Sequence, residues 1–144
     1  MTLLEKSRRS AHLAEWGAEA LQAAVGETVL EFGTGQGIGI DPSAERLPLT
    51  DESVDAILLV NSVASWQDPA GGLAEVRRVL RPTGRIVSVL QPDGGHTLEE
   101  LDGAAAAEHE QLAAAGFDVL PPLVKSLRPV DAFLIAGRVG LRKR

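Results

Sequence analysis

Gly33, Gly35, Gly37 and Gly39 alternate with Thr34, Gln36 and Ile38, directly after the apolar run Thr28-Val29-Leu30-Glu31-Phe32. An apolar strand feeding a glycine-rich turn is how open α/β sheets bring backbone amides close to a nucleotide-like ligand. Asn61 follows a second apolar run, Val54-Asp55-Ala56-Ile57-Leu58-Leu59-Val60. It therefore falls at the carboxyl edge of the expected sheet, where such sheets bind ligands, and either orients an acceptor or caps the strand. His96 lies beyond the next strand on the same edge, as a general base or as an ordinary loop histidine. Trp66 either walls a pocket or packs in the core. Asp41-Pro42-Ser43 comes soon after the glycines, and Asp before Pro is also a common turn.

The elements that must position these residues alternate along the chain. Residues 3–25 have Leu13, Trp16, Ala20, Leu21 and Ala24 at spacings of three and four, which predicts an amphipathic helix stopped by Gly26. Residues 29–32 read as a short buried strand and 34–53 mostly as loop. Val54 to Val60 is apolar throughout after Asp55, the pattern of a strand covered on both faces. Asp68 as N-cap and Pro69 at the first helical position open a helix that buries Leu73, Val76, Val79 and Leu80. Pro82-Thr83-Gly84 reads as a turn. Residues 85–90 are the next strand. Thr97 and Glu100 fit a capping box at the start of an Ala-rich helix running to about Ala115, with Gly116 as its left-handed stop. Residues 117–127 hold a strand interrupted by Pro121-Pro122, and 131–139 a last strand paired antiparallel with it.

Composition narrows the chemistry. The 144 residues suit one domain, 1–144, with an α/β core over about 27–139. With no Cys, there is neither a thiolate metal site nor a Cys nucleophile. His12, His96 and His109 lack metal-ligand spacing. A net charge of −6 argues against nucleic-acid binding. The basic end, Arg142-Lys143-Arg144, reads as a solvated tail. No apolar run is long enough to span a membrane, and no apolar leader precedes the first charges, so a cytoplasmic location is expected.

Ala44-Glu45-Arg46-Leu47-Pro48-Leu49-Thr50-Asp51-Glu52-Ser53-Val54-Asp55-Ala56, then Trp66-Gln67-Asp68-Pro69, then Leu73-Ala74-Glu75-Val76-Arg77-Arg78-Val79-Leu80-Arg81-Pro82-Thr83-Gly84-Arg85 resemble the middle of a class I S-adenosylmethionine-dependent methyltransferase, of the small-molecule branch. Val29 to Gly37 resembles the family's methionine-binding motif, and the similarity covers roughly 27–139. The resemblance implies S-adenosylmethionine as cofactor and a small-molecule methyl acceptor. It implies that Gly33, Gly35 and Gly37 bring backbone to the methionine part. Glu31, at the family's acidic strand-end position, would stand near the cofactor's amino acid, or would simply face solvent. Asp41 would hold the ribose hydroxyls or face the adenine amino group. Glu45, Leu47 and Pro48 fall where the family lines the adenine pocket; the plain alternative is a loop with Leu47 packed inward. Asn61 completes the candidate set, and no catalytic residue is identifiable.

Between the glycine turn and the "LP" segment the family has a helix, a strand, another helix and a third strand. Here that stretch is compressed. A parallel crossover needs about a dozen residues or more. The segment 38–41 therefore cannot lie parallel beside 29–32, whereas 34–53 is long enough to carry the chain to 54–60. The expected architecture is a reduced Rossmann-like α/β sheet of five strands, ordered 1-2-3-5-4, with the last strand antiparallel. Its first strand becomes an edge and one face loses its helices, so a homodimer is expected to cover them. The competing reading is a cofactor-free relative that keeps the fold as a scaffold or dimerisation module.

Overall fold

The computed structural model describes residues 3–33, 46–92, 98–126 and 131–140, with side chains from His12 onward. Helix α1 (Leu3–Leu21) leads into β1 (Val29–Phe32) and β2 (Val54–Val60). A single 3-10 turn, Val63–Ser65, precedes α2 (Pro69–Val79) and β3 (Leu80–Leu90). Helix α3 (Leu98–Ala114) is followed by β4 (Phe117–Val119), β5 (Leu123–Lys125) and β6 (Ala132–Val139).

All the described strands join one sheet in the order β1-β2-β3-β6-β4, with β5 pairing β6 beside β4. β1, β2 and β3 are parallel, and β6 runs antiparallel to β3, β4 and β5. This is the expected order. Val29 stands opposite Ala56 and Phe32 opposite Leu59, so the shortened crossover delivers the chain directly to the neighbouring strand. The stretch 38–41 lies outside the described residues.

Two local expectations change. Helix α1 ends at Leu21 rather than near residue 25. Gln22 takes φ 51° there, and Arg85 binds the last carbonyls: its Nε donates to Leu21 O at 2.6 Å and its Nη2 to Gln22 O at 3.0 Å. Strand β3 begins at Leu80, before the expected turn. Leu80 pairs with Val54, the register slips, and regular pairing resumes with Arg85 opposite Ala56. Pro82-Thr83-Gly84 is thus an irregularity within the strand, consistent with proline's missing amide. The interruption expected at Pro121-Pro122 is present, between β4 and β5.

The core has two layers. On one face α1 packs over β2, β3 and β6, burying Leu13, Leu21, Leu58, Val60, Val87, Val89 and Leu134. Gly17 lets the helix approach closely, since a Cβ there would lie 2.5 Å from Leu58 Cδ1. The actual stripe is therefore Leu13, Gly17 and Leu21, and Ala20 and Ala24 are exposed. On the other face α2 and α3 bury Ile57, Leu59, Leu73, Val76, Ile86, Leu101, Leu112 and Phe133. Leu47, and the partly buried Leu49, join Leu30 and Phe32 of β1 in that second cluster. The segment before β2 thus packs against β1 on that face. Gly116 stops α3 at φ 98°, as expected.

Candidate functional site

The register of β1, β2 and β3 brings Gly33, Asn61 and Gln91 side by side at the carboxyl edge, each just past the end of its strand. Gly33 has φ 76°. A Cβ there would lie 2.1 Å from Val60 O and 2.9 Å from Ser62 Oγ. The turn after β1 therefore presses against the end of β2, and only glycine fits. Ser62 Oγ donates to Val60 O at 3.0 Å, and Ser65 Oγ to Ser62 O at 2.6 Å.

Asn61 sits in the left-handed region at φ 49°, a conformation that Asn tolerates better than most residues. Its backbone N–H donates to Val89 O at 2.9 Å, and its Oδ1 accepts from Gln91 N at 2.8 Å. It thereby ties the ends of β2 and β3 together. No hydrogen bond occupies its Nδ2 among the described residues, and the residue is exposed. Glu31 is likewise exposed, one residue before the end of β1. Along this edge, then, a carboxylate, a side-chain amide and a glycine turn stand together. Such a set can accept hydrogen bonds from an ammonium group and donate to an acceptor atom.

Leu47 is 5% exposed and belongs to the core cluster. Its position is set by a clamp on α2. Leu47 N donates to Glu75 Oε2 at 2.6 Å, and Arg78 Nη2 donates to Leu47 O at 3.1 Å. Arg78 Nη1 reaches Leu49 O at 2.9 Å and Asp51 Oδ1 at 2.7 Å, and Arg78 Nε is bound to Glu75 Oε1. The hydrogen bond from Arg78 holds the Glu75 carboxyl below the usual range against the opposing effect of burial, with help from Leu47 N. Gly33 and Leu47, on either side of the segment that carries the remaining glycines, are thus both held in place. Gly35, Gly37, Asp41 and Glu45 lie between them, outside the described residues, as does His96.

Trp66 is core. It is 6% exposed and edge-on to Phe32, with ring centroids 6.2 Å apart. A Cβ on Gly72 would come within 2.5 Å of its Cε3. Asp68 caps α2 as expected, accepting from Gly71 N at 3.1 Å. The sequence reading passed over Ser62, Gln91 and the Glu75–Arg78 clamp. The spacing of three on a helix was a signal for the clamp, and the place of Gln91 directly after the strand 85–90 was one for Gln91; nothing marked Ser62. Among the described residues no group of three or more His, Asp or Glu side chains is placed to hold a metal, and no helix is long and apolar enough to cross a membrane.

Comparison with known proteins bears on the family and the fold. Residues 10–88, more than half the chain, match a family model described as a methyltransferase domain. An uncharacterised methyltransferase of Mycobacterium tuberculosis is 44% identical over 68 residues, covering 47% of this chain and 24% of the relative. The demethylmenaquinone methyltransferase of Clavibacter sepedonicus is 38% identical over 84 residues, covering 54% of this chain and 34% of the relative. The chain thus spans only about a quarter to a third of these relatives' lengths. Among solved structures, a chain of the complex between the Haloferax volcanii Trm112 methyltransferase activator and a methyltransferase superposes with a TM-score of 0.75. It is 17% identical and covers 95% of this chain and 92% of its own. An S-adenosylmethionine-dependent methyltransferase of Aquifex aeolicus superposes at 0.66, with 16% identity, covering 92% of this chain and 98% of its own.

Proposed function

The chain belongs to the methyltransferase-domain family, and we propose that it transfers a methyl group from S-adenosylmethionine to a small-molecule acceptor. The observation that carries this reading is the carboxyl edge, where Glu31, Gly33 and Asn61 stand on adjacent parallel strands. Their chemistry fits the cofactor: an exposed carboxylate suits its ammonium group, and a glycine turn suits close backbone approach. When bound, the sulfonium supplies an activated methyl group and its own leaving group.

The protein's share of the work is positioning. Glu31 takes the amino-acid end. Gly33, Gly35 and Gly37 present backbone amides. Asp41 receives hydroxyls of the ribose, and Glu45 and Leu47 border the base. Leu47 serves as a fixed floor, because the Glu75–Arg78 clamp holds its backbone at both N and O. Asn61 offers its Nδ2, without a hydrogen bond among the described residues, to the acceptor. No general base is needed where the acceptor atom carries a free lone pair. A cytoplasmic location and a homodimer across the β1 edge belong to the same proposal. Support for the dimer comes from the sheet order, since β1 is one of its edge strands and α1 packs over β2, β3 and β6.

Calorimetric titration with S-adenosylmethionine and S-adenosylhomocysteine tests the reading. Saturable heat with both ligands is expected. No heat at millimolar ligand would contradict it and favour the scaffold role.

A further inference from the structure

At the opposite, amino edge of the sheet, a cavity of about 450 Å³ opens between the last turn of α2, the start of β3 and the end of β6. Its charged lining is Arg77, Arg78, Asp51 and Glu52, and its apolar wall includes Leu80, Pro82 and Val139.

The two arginines differ. Arg78 is satisfied, bound to Glu75, Asp51 and two carbonyls. Arg81 pairs with Asp55 and Arg85 with Glu27. Arg77 has no such carboxylate among the described residues. Its Nη2 reaches Gly140 O only at 3.4 Å, and its Nε is sealed from solvent with no hydrogen-bond partner. The guanidinium lies close to Gly116, where a Cβ would come within 2.8 Å of both Cζ and Nε. The absence of a side chain at 116 is what makes room for this cation. A half-buried charge with no counterion among the described residues is costly unless a bound group supplies one.

We propose that this cavity is a second binding site, separate from the carboxyl edge, for a small ligand bearing a carboxylate or phosphate on an apolar body. The guanidinium offers a planar fork that matches an oxyanion. Leu80, Pro82 and Val139 take the apolar part. Of the two acids in the lining, Asp51 is already spent on Arg78 at 2.7 Å. Glu52 is exposed, where solvent screens its repulsion.

The test follows arginine Nε–Hε resonances by NMR in the full chain, with Arg77→Lys identifying the Arg77 signal by its loss. Benzoate supplies an oxyanion with an apolar body, inorganic phosphate the oxyanion alone, and benzamide the neutral shape. The expected result is a saturable shift of the Arg77 signal with benzoate at a millimolar or tighter dissociation constant. Benzamide leaves it still, and Arg77→Gln weakens benzoate binding at least tenfold. A stronger response to phosphate than to benzoate would still uphold the oxyanion site and name phosphate as its ligand. Three results would overturn the proposal: an Arg77 signal unmoved by both oxyanions, an equal response to benzamide, or equal shifts at Arg81 and Arg138. If Arg77→Gln does not fold, the comparison of benzoate with benzamide on the unaltered chain decides.

Discussion

A methyl group on Gly33 would sit 2.1 Å from the carbonyl oxygen of Val60, at a φ of 76° that L side chains rarely adopt. Gly33→Ala must therefore push β1 away from β2 at the candidate site. Urea unfolding should register a loss on the order of 2 kcal/mol; unchanged stability would mean the turn relaxes freely. Glu108 poses the opposite problem. It lies among Leu101, Ala105 and Leu112 on the buried face of α3 and is 5% exposed. Its one described hydrogen bond comes from Ser88 Oγ at 3.1 Å. Burial raises its carboxyl from 4.5 to about 7, although the Ser88 bond pulls the other way. A folded-state value above the unfolded one contributes stability that is complete below 4.5 and is lost as pH rises through about 7. The loss is on the order of 3 kcal/mol across that window. Glu108→Gln should flatten stability over this range, as read by denaturant midpoints at several pH values; a slope equal to that of the unaltered chain would contradict the assignment. Glu27 and Glu75 are lowered, so their contributions are lost only as pH falls below 4.5.

Elements whose signal is local were legible in the sequence, and elements set by distant partners were not. The apolar run Val54 to Val60 could only be a strand covered on both faces, and it is. Asp68-Pro69 marked the start of α2, and Gly116 the stop of α3, because capping chemistry is written within a few residues. The end of α1 was not legible, since it depends on Arg85, more than sixty residues away. Pro121-Pro122 and Pro82 were visible as interruptions, but whether each would end a strand or only distort it depended on the neighbouring strand. At the candidate site, Gly33 and Asn61 were legible from their places after apolar runs. The anchoring of Leu47 by Glu75 and Arg78 was not, because it is a tertiary contact between a loop and a helix face. The Arg85 clamp also holds Glu27 through two bonds, Nη1 to Oε2 at 2.9 Å and Nη2 to Oε1 at 2.6 Å. Those bonds, aided by the Ala24 amide, hold the Glu27 carboxyl down at about 2. Arg85→Ala should lower the melting temperature more than Arg81→Ala does, because Arg81 is 48% exposed and meets Asp55 at 3.2 Å. Equal effects would show that fixing the end of α1 adds nothing.

At the scale of the whole molecule, deletion of the leading crossover is tolerated because β1 and β2 are already compatible neighbours. What the deletion leaves behind is an edge. β1 has only four residues, Glu31 on it is exposed, and Val29 and Leu30 are half-buried. A short strand with an outward charge resists unwanted pairing, yet its apolar residues favour a covered state. Sedimentation at micromolar concentration should give a dimer, and a monomer would count against a β1 interface. The functional claim is that the shortened sheet still binds cofactor at its carboxyl edge. The most direct measurement is a backbone amide NMR titration with S-adenosylhomocysteine. Shifts concentrated at Gly33, Asn61 and Gln91 are expected, with Arg77 and Gly140 at the far edge unmoved. Shifts confined to the far edge, or none at saturating ligand, would contradict that claim.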